Sequence, residues 1–125
     1  MLNKDKRFDI DLAYGNIFEQ KLLNMFKHSK VEVKTERDFW AKSGNIAIEH
    51  SSRNKPSGIM TTEADYWFHN LARGDELLAT IVLPTDTLRA YICKAQPRTV
   101  SGGDNGTSSL YLINIERLFK ELYAV

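Results

Sequence analysis

The chain has 125 residues and a mass of 14.3 kDa, room for one apolar core and too little for several. Hydrophobic residues make up 42%, charged residues 26%, and the formal net charge is +1, which excludes low-complexity, collagen-like and strongly charged disordered classes. No apolar run reaches membrane-spanning length and the segment Met1–Arg7 lacks a signal-peptide core, so a cytoplasmic protein without a membrane partner is expected. The single cysteine, Cys93, cannot form an internal disulfide; its neighbours Tyr91, Ile92 and Lys94 suggest a helix, on which a buried, structural position is expected.

In chain order, residues 1–11 are polar and read as an extended segment, with Asp9 or Asp11 suited to cap the helix that follows. Leu12 to His28 reads as an amphipathic helix with Phe18, Leu22, Met25 and Phe26 at helical spacing. Val31–Glu36 and Gly44–His50 both alternate with period two and read as half-buried strands. In the first, Glu32, Lys34 and Glu36 share a face; in the second, Asn45, Ala47 and Glu49 do. Residues 51–60 are turn-rich. Thr61 or Thr62 is placed to cap a helix reaching about Arg73, with Gly74 as its stop and His69 at a surface position of structural character. Leu77–Leu83 reads as a buried strand ended by Pro84, and Thr85 opens a short helix carrying Leu88, Tyr91 and Ile92. Residues 98–109 read as a long glycine-rich loop, 110–115 as a strand and 116–123 as a terminal amphipathic helix.

The chemistry concentrates in the two polar strand faces. If those strands form an antiparallel hairpin closing over residues 37–44, Glu32 lies opposite Glu49 and Lys34 opposite Ala47. Directly opposed like charges destabilise a sheet, whereas a divalent cation between them reverses the sign, because hard cations take carboxylate oxygens. Glu19 falls on or beside the apolar stripe of the first helix, where a carboxylate costs free energy unless it is paired or binds a metal. Lys27, Lys30, Lys34, Arg37, Lys42, Arg53 and Lys55 crowd the same region, and with Ser57 they are suited to phosphate contacts.

A helix bearing an acid, followed by strands bearing acid, Lys and acid, resembles the PD-(D/E)XK nuclease superfamily, the restriction-endonuclease-like fold that includes phage recombination nucleases and Holliday-junction resolvases. The stretches Lys55-Pro56-Ser57-Gly58-Ile59 and Thr61-Thr62-Glu63-Ala64-Asp65-Tyr66-Trp67 also resemble small phage-encoded members. The resemblance implies an α/β fold over residues 1–125 as a single domain, with a central mixed sheet of about four to five strands flanked by helices. It implies that Glu19 matches the helix acid, Glu32 the first strand acid and Glu49 the Glu of the Glu-x-Lys element. The position two after Glu49 is Ser51, so Lys34 would supply the amine from the neighbouring strand. In the other alignment, Glu32-x-Lys34 is itself the Glu-x-Lys element and Asp9 or Asp11 provides the preceding acid; Asp38 is a further candidate.

The expected activity is therefore a Mg²⁺- or Mn²⁺-dependent DNA endonuclease acting on branched or recombination DNA. Glu19, Glu32 and Glu49 would be metal ligands and Lys34 a catalytic group, while Lys30, Arg37, Lys42, Arg53, Lys55 and Ser57 would bind DNA. A homodimer is expected by resemblance, with Leu118, Phe119, Leu122 and Tyr123 as an interface. The alternative is a non-catalytic nucleic-acid-binding or assembly module on the same fold.

Overall fold

The computed structural model describes residues 4–125, with side chains from residue 6 onward. Helix α1 spans Lys4–His28, strand β1 Val31–Arg37, the single turn α2 Trp40–Ser43, and strand β2 Asn45–Ser52. Strand β3 is Lys55–Pro56, and a 3-10 turn at Gly58–Met60 leads to β4, Tyr66–Arg73, and β5, Glu76–Pro84. Helix α3 spans Thr85–Ala95, β6 Thr99–Gly102, β7 Ser108–Asn114 and α4 Ile115–Glu121.

The result is an α/β architecture with two sheets in place of the one central sheet expected. The first is mixed, in the order β1-β4-β5, with β1 parallel to β4 and β4 antiparallel to β5. The second is antiparallel, in the order β3-β2-β7-β6. Inward side chains of both sheets meet those of α3, α4 and the 3-10 turn in an apolar cluster that includes Ile46, Ile48, Ile59, Trp67, Leu88, Ile113 and Leu118. Among the described residues no helix is long and apolar enough to cross a membrane.

The expected β1–β2 hairpin does not form. Glu32 pairs with Trp67 and Lys34 with His69 across β1–β4, while Glu49 pairs with Leu110 across β2–β7. No carboxylate opposes another in either ladder, so the repulsion that an ion would have relieved does not arise there. The intervening segment turns the chain away instead. Asp38 adopts φ 49° and its carboxylate accepts from Gly74 N–H at 2.7 Å, while the Trp40 indole donates to the Ala72 carbonyl at 2.8 Å. These bonds tie residues 38–40 to the end of β4 and direct β1 along that strand.

The helix expected over residues 61–73 is strand β4. Its burial alternates strictly, with Trp67, His69 and Leu71 inward, and its aromatic-rich composition suits a pleated surface. Thr62 caps no helix; its hydroxyl accepts from Ala64 N–H in a local turn. The expected loop at 98–109 contains β6, whose four residues pair with β7 as a short edge. Residues 1–3 of the expected extended segment lie outside the described residues; from Lys4 onward the chain is helical, so Asp9 and Asp11 stand inside α1 and not at its cap.

Helix α3 follows its sequence closely. Pro84 ends β5, Leu88, Tyr91 and Ile92 share the buried stripe, and Gln96 closes the helix in the left-handed region with its N–H on the Ile92 carbonyl. Cys93 falls one position beyond that stripe and is exposed, contrary to the buried position expected. Terminal α4 is capped by the Asn114 side chain, which accepts from Arg117 N–H at 2.9 Å. Leu118 belongs to the core, whereas Phe119 and Tyr123 are exposed.

Candidate active site

Period-two alternation on β1 brings Glu32, Lys34 and Glu36 to the side of the mixed sheet that also carries Trp67, His69 and Leu71. On β2, Ile46 and Ile48 are buried and Ala47 and Glu49 take the other face. Where the two strands come near each other, Lys34, Thr35, Glu36, Ala47, Glu49, His69 and Leu110 line an open cleft of about 190 Å³.

Glu36 joins the two sheets across this cleft. Its Oε1 accepts from the Ala47 backbone N–H on β2 and lies 2.9 Å from His69 Nε2 on β4. The Trp67 indole N–H, which can only donate, gives its proton to His69 Nδ1 at 3.0 Å. Nδ1 must therefore be the acceptor nitrogen, and Nε2–H is the donor to Glu36. The chain Trp67→His69→Glu36 consequently fixes one tautomer and holds one carboxylate oxygen, while Oε2 takes no bond from a described residue. His69 and Trp67 are each only 1% exposed, so the support is shielded from solvent. Replacing His69 by Ala is expected to lower unfolding free energy by about 3 kcal/mol, through lost volume and an unpaired Trp67 N–H. Urea denaturation checks this; a loss below about 1 kcal/mol would mean the network contributes little to the fold.

Glu49 is held from below. Gly58, at φ 55°, lies against the Glu49 backbone, and a Cβ built there would meet the Glu49 carbonyl carbon at 2.8 Å. Arg89 on α3 fastens that turn, donating from Nε to the Ile59 carbonyl at 2.9 Å and from its terminal nitrogen to the Thr62 carbonyl at 2.7 Å. The Ser57 N–H completes the turn by donating to the His50 carbonyl at 3.1 Å.

Of the expected site residues, Lys34 and Glu49 share the cleft lining. Glu32 is linked to it through Lys34, whose Nζ lies 3.8 Å from Glu32 Oε1 as a half-exposed pair of small energetic worth. Glu19 lies exposed on α1, and among the described residues no three His, Cys, Asp or Glu side chains converge as a metal cage. The carboxylate trio Glu19, Glu32 and Glu49 is thus not assembled. Lys30, Arg37, Lys42, Arg53 and Lys55 are all exposed. Arg53 and Asn54, both at positive φ, form the two-residue turn between β2 and β3. The Ser57 hydroxyl is enclosed without a partner, so it is not displayed towards phosphate as expected.

Glu36 and His69 are the titratable lining residues that do not stand among the expected site residues. Alternation already placed Glu36 beside Lys34; His69 was hidden by the helical reading of β4. A separate cavity of about 350 Å³ between α3 and the C-terminus is lined by Tyr91, Arg117 and Glu121. There a hydrogen bond from Arg117 holds the Glu121 carboxyl below its usual range, and burial raises the Tyr91 phenol. That wall is consumed by a 2.7 Å Arg117–Glu121 ion pair and offers less unspent chemistry than the Glu49 cleft.

The fold and the cleft define an α/β protein with a mixed sheet and an antiparallel sheet meeting at two carboxylates and a lysine. No family model matches the chain, and no curated protein and no solved structure matches it significantly.

Proposed function

We propose that this protein is a Mg²⁺- or Mn²⁺-dependent DNA endonuclease of the PD-(D/E)XK type, with its centre in the Lys34–Glu36–Glu49 cleft. The observation that carries the reading is that Lys34 and Glu49, selected from sequence as the amine and the strand acid, line one open cleft together with a second, anchored carboxylate. The donor set suits such an ion. Mg²⁺ keeps several waters and needs one or two carboxylates plus substrate phosphate, not an all-protein cage. Glu49 and the free oxygen of Glu36 would hold it, with Glu32 reaching the same region through its pair with Lys34.

When bound, the ion supplies an acidified water and charge neutralisation at the scissile phosphate. The chain does the rest. Lys34 Nζ orients the attacking water or offsets charge on the phosphoryl oxygens. His69 and Trp67 hold Glu36 in position without touching the substrate. Attack by the water oxygen forms a new P–O bond and breaks the one to the leaving sugar oxygen; the proton that the attacking water loses passes to solvent, and the leaving oxygen takes one from a solvent water. Lys30, Arg37, Lys42, Arg53 and Lys55 are exposed and would be available for phosphate contacts.

The test is cleavage of labelled single-stranded, duplex, flap and four-way-junction DNA with Mg²⁺, Mn²⁺ or EDTA. Metal-dependent cutting of at least one form is expected, and no cutting by folded, metal-supplied protein overturns the reading. The second reading, a non-catalytic binding or assembly module, draws on Ser51 standing where the motif lysine is expected and on Glu36 serving as a bridge between sheets. Melting scans separate the two. Millimolar Mn²⁺ binding only the folded state at ten times its dissociation constant raises stability by about 1.4 kcal/mol, and Glu49→Ala should abolish that shift.

A further inference from the structure

Two apolar surfaces of this chain lie uncovered, and they match each other. Helix α1 runs for 25 residues, about 37 Å at 1.5 Å per residue, and nine of its large apolar side chains are exposed, among them Phe8, Leu12, Phe18, Leu22 and Phe26. They occupy most of the helix circumference, a pattern that belongs to a helix covered on more than one side. The second surface is the outer face of the mixed sheet. There Val33, Phe68 and Val82 stand in one cross-strand row, with Val31 and Tyr66 beside it, and Val33 is 55% exposed.

The chain does not bring these surfaces together itself. At the last turn of α1, Phe26 meets Phe68 edge-on with ring centroids 6.0 Å apart. Beyond that contact the helix leaves the sheet. The joint is held at Lys30, two residues after the helix: Lys30 N–H donates to the Asp65 carboxylate at 2.9 Å, and Asp65 and Tyr66 N–H donate to the Lys30 carbonyl at 2.8 and 3.2 Å. With the joint pinned, Leu22, Phe18 and the apolar residues before them remain exposed on the single chain.

We infer that a second copy of this chain covers both surfaces, with α1 of each protomer lying on the outer face of the partner's β1-β4-β5 sheet. A two-fold arrangement satisfies both requirements at once, because each protomer supplies the helix that the other lacks and the interface closes on itself. The area is sufficient. One side of α1, carrying about half of the nine exposed side chains, and the outer sheet face with Val31 and Val33 would each bury on the order of 400 Å², so a protomer that supplies both reaches about the 800 Å² each partner contributes to a stable dimer. The C-terminal surface expected from sequence is the poorer candidate, since Leu118 is spent in the core. This inference does not depend on the nuclease reading.

Sedimentation equilibrium on the full chain, at tens of micromolar, tests it. The wild type should have twice the 14.3 kDa chain mass. The helix variant Phe18→Asp/Leu22→Asp and the sheet variant Val33→Asp should each sediment as monomers with wild-type far-ultraviolet circular dichroism, because these side chains are exposed on a single chain. Phe119→Asp, at an exposed site on α4, should remain dimeric. A monomeric wild type overturns the inference. So does a dimer that survives either the helix or the sheet variant, or one that Phe119→Asp dissociates.

Discussion

Glu49→Ala is expected to lower DNA cleavage by about 10³-fold, and Lys34→Ala by about 10²-fold, while both proteins remain folded. Both residues line the cleft, and neither belongs to the apolar core. On the proposed reading, Glu49→Ala deletes one of the two carboxylates that would hold the metal ion, and with it the ion's charge neutralisation at the phosphate. Losing Lys34 removes only one positive group, so its effect is smaller. Glu36 needs a different substitution, because Ala there would also unpair Ala47 N–H and His69. Glu36→Gln retains an acceptor oxygen for both donors, so it should reduce cleavage about 10²-fold with little change in melting temperature. Glu32→Ala should cost less than Glu49→Ala, since Glu32 reaches the cleft through Lys34. Equal losses would place Glu32 directly at the metal. Single-turnover cleavage at saturating Mn²⁺ reads all four, and full activity in folded Glu49→Ala would refute the assignment.

Gly58→Ala is expected to be among the most damaging single substitutions, costing about 3 kcal/mol or more. Two effects add. Gly58 sits at φ 55°, a conformation that disfavours any side chain, and the new Cβ would run into the Glu49 backbone. Backbone cannot swing aside as a flexible side chain would, so either the turn moves or β2 does. The variant should therefore lose metal-dependent stabilisation along with stability, since displacing Glu49 by about 1 Å is enough to spoil a catalytic position. The neighbouring Ser57→Ala should behave in the opposite way. It deletes an enclosed hydroxyl that has no partner, so it should be neutral or stabilising by up to about 1 kcal/mol. Urea unfolding of the pair checks both signs, and a Ser57→Ala loss above that size would show that the hydroxyl has a partner after all.

The adjacent position of these two residues shows how a motif can be informative for a reason unlike the one first assigned. In sequence, Ser57 reads as one of the hydroxyl and basic groups of a loop suited to phosphate, and Gly58 only as part of that turn-rich connection. In the fold, Gly58 supports the Glu49 backbone and the Ser57 hydroxyl faces inward. Arg89, thirty residues from Ile59, locks the same turn through two carbonyls, and no local signal announces it.

Local chemistry by itself determined that β1, β2, β5 and β7 are strands and α3 and α4 helices, because alternation, Pro84 and the Leu88–Tyr91–Ile92 stripe act within a few residues; it did not determine burial, since Leu77 and Leu78 of the strand expected to be buried are exposed. It also placed Lys34 and Glu36 on one face of β1, and Glu49 on the face of β2 opposite its buried isoleucines. Only the tertiary structure decided which strands pair. A hairpin was the shortest closure available to β1 and β2, yet β1 runs parallel to β4, joining Val31 to Tyr66. That choice depends on bonds from Asp38 and Trp40 to the far end of β4, contacts that no window of sequence contains. Strand β4 was itself ambiguous, since a threonine before an aromatic run suits a helix start as well as a strand, and only burial of Trp67, His69 and Leu71 against the core selects the strand. Glu36 and His69 met for the same reason. Their residue types were visible in the chain, but their 2.9 Å bond exists only because two strands 33 residues apart lie side by side.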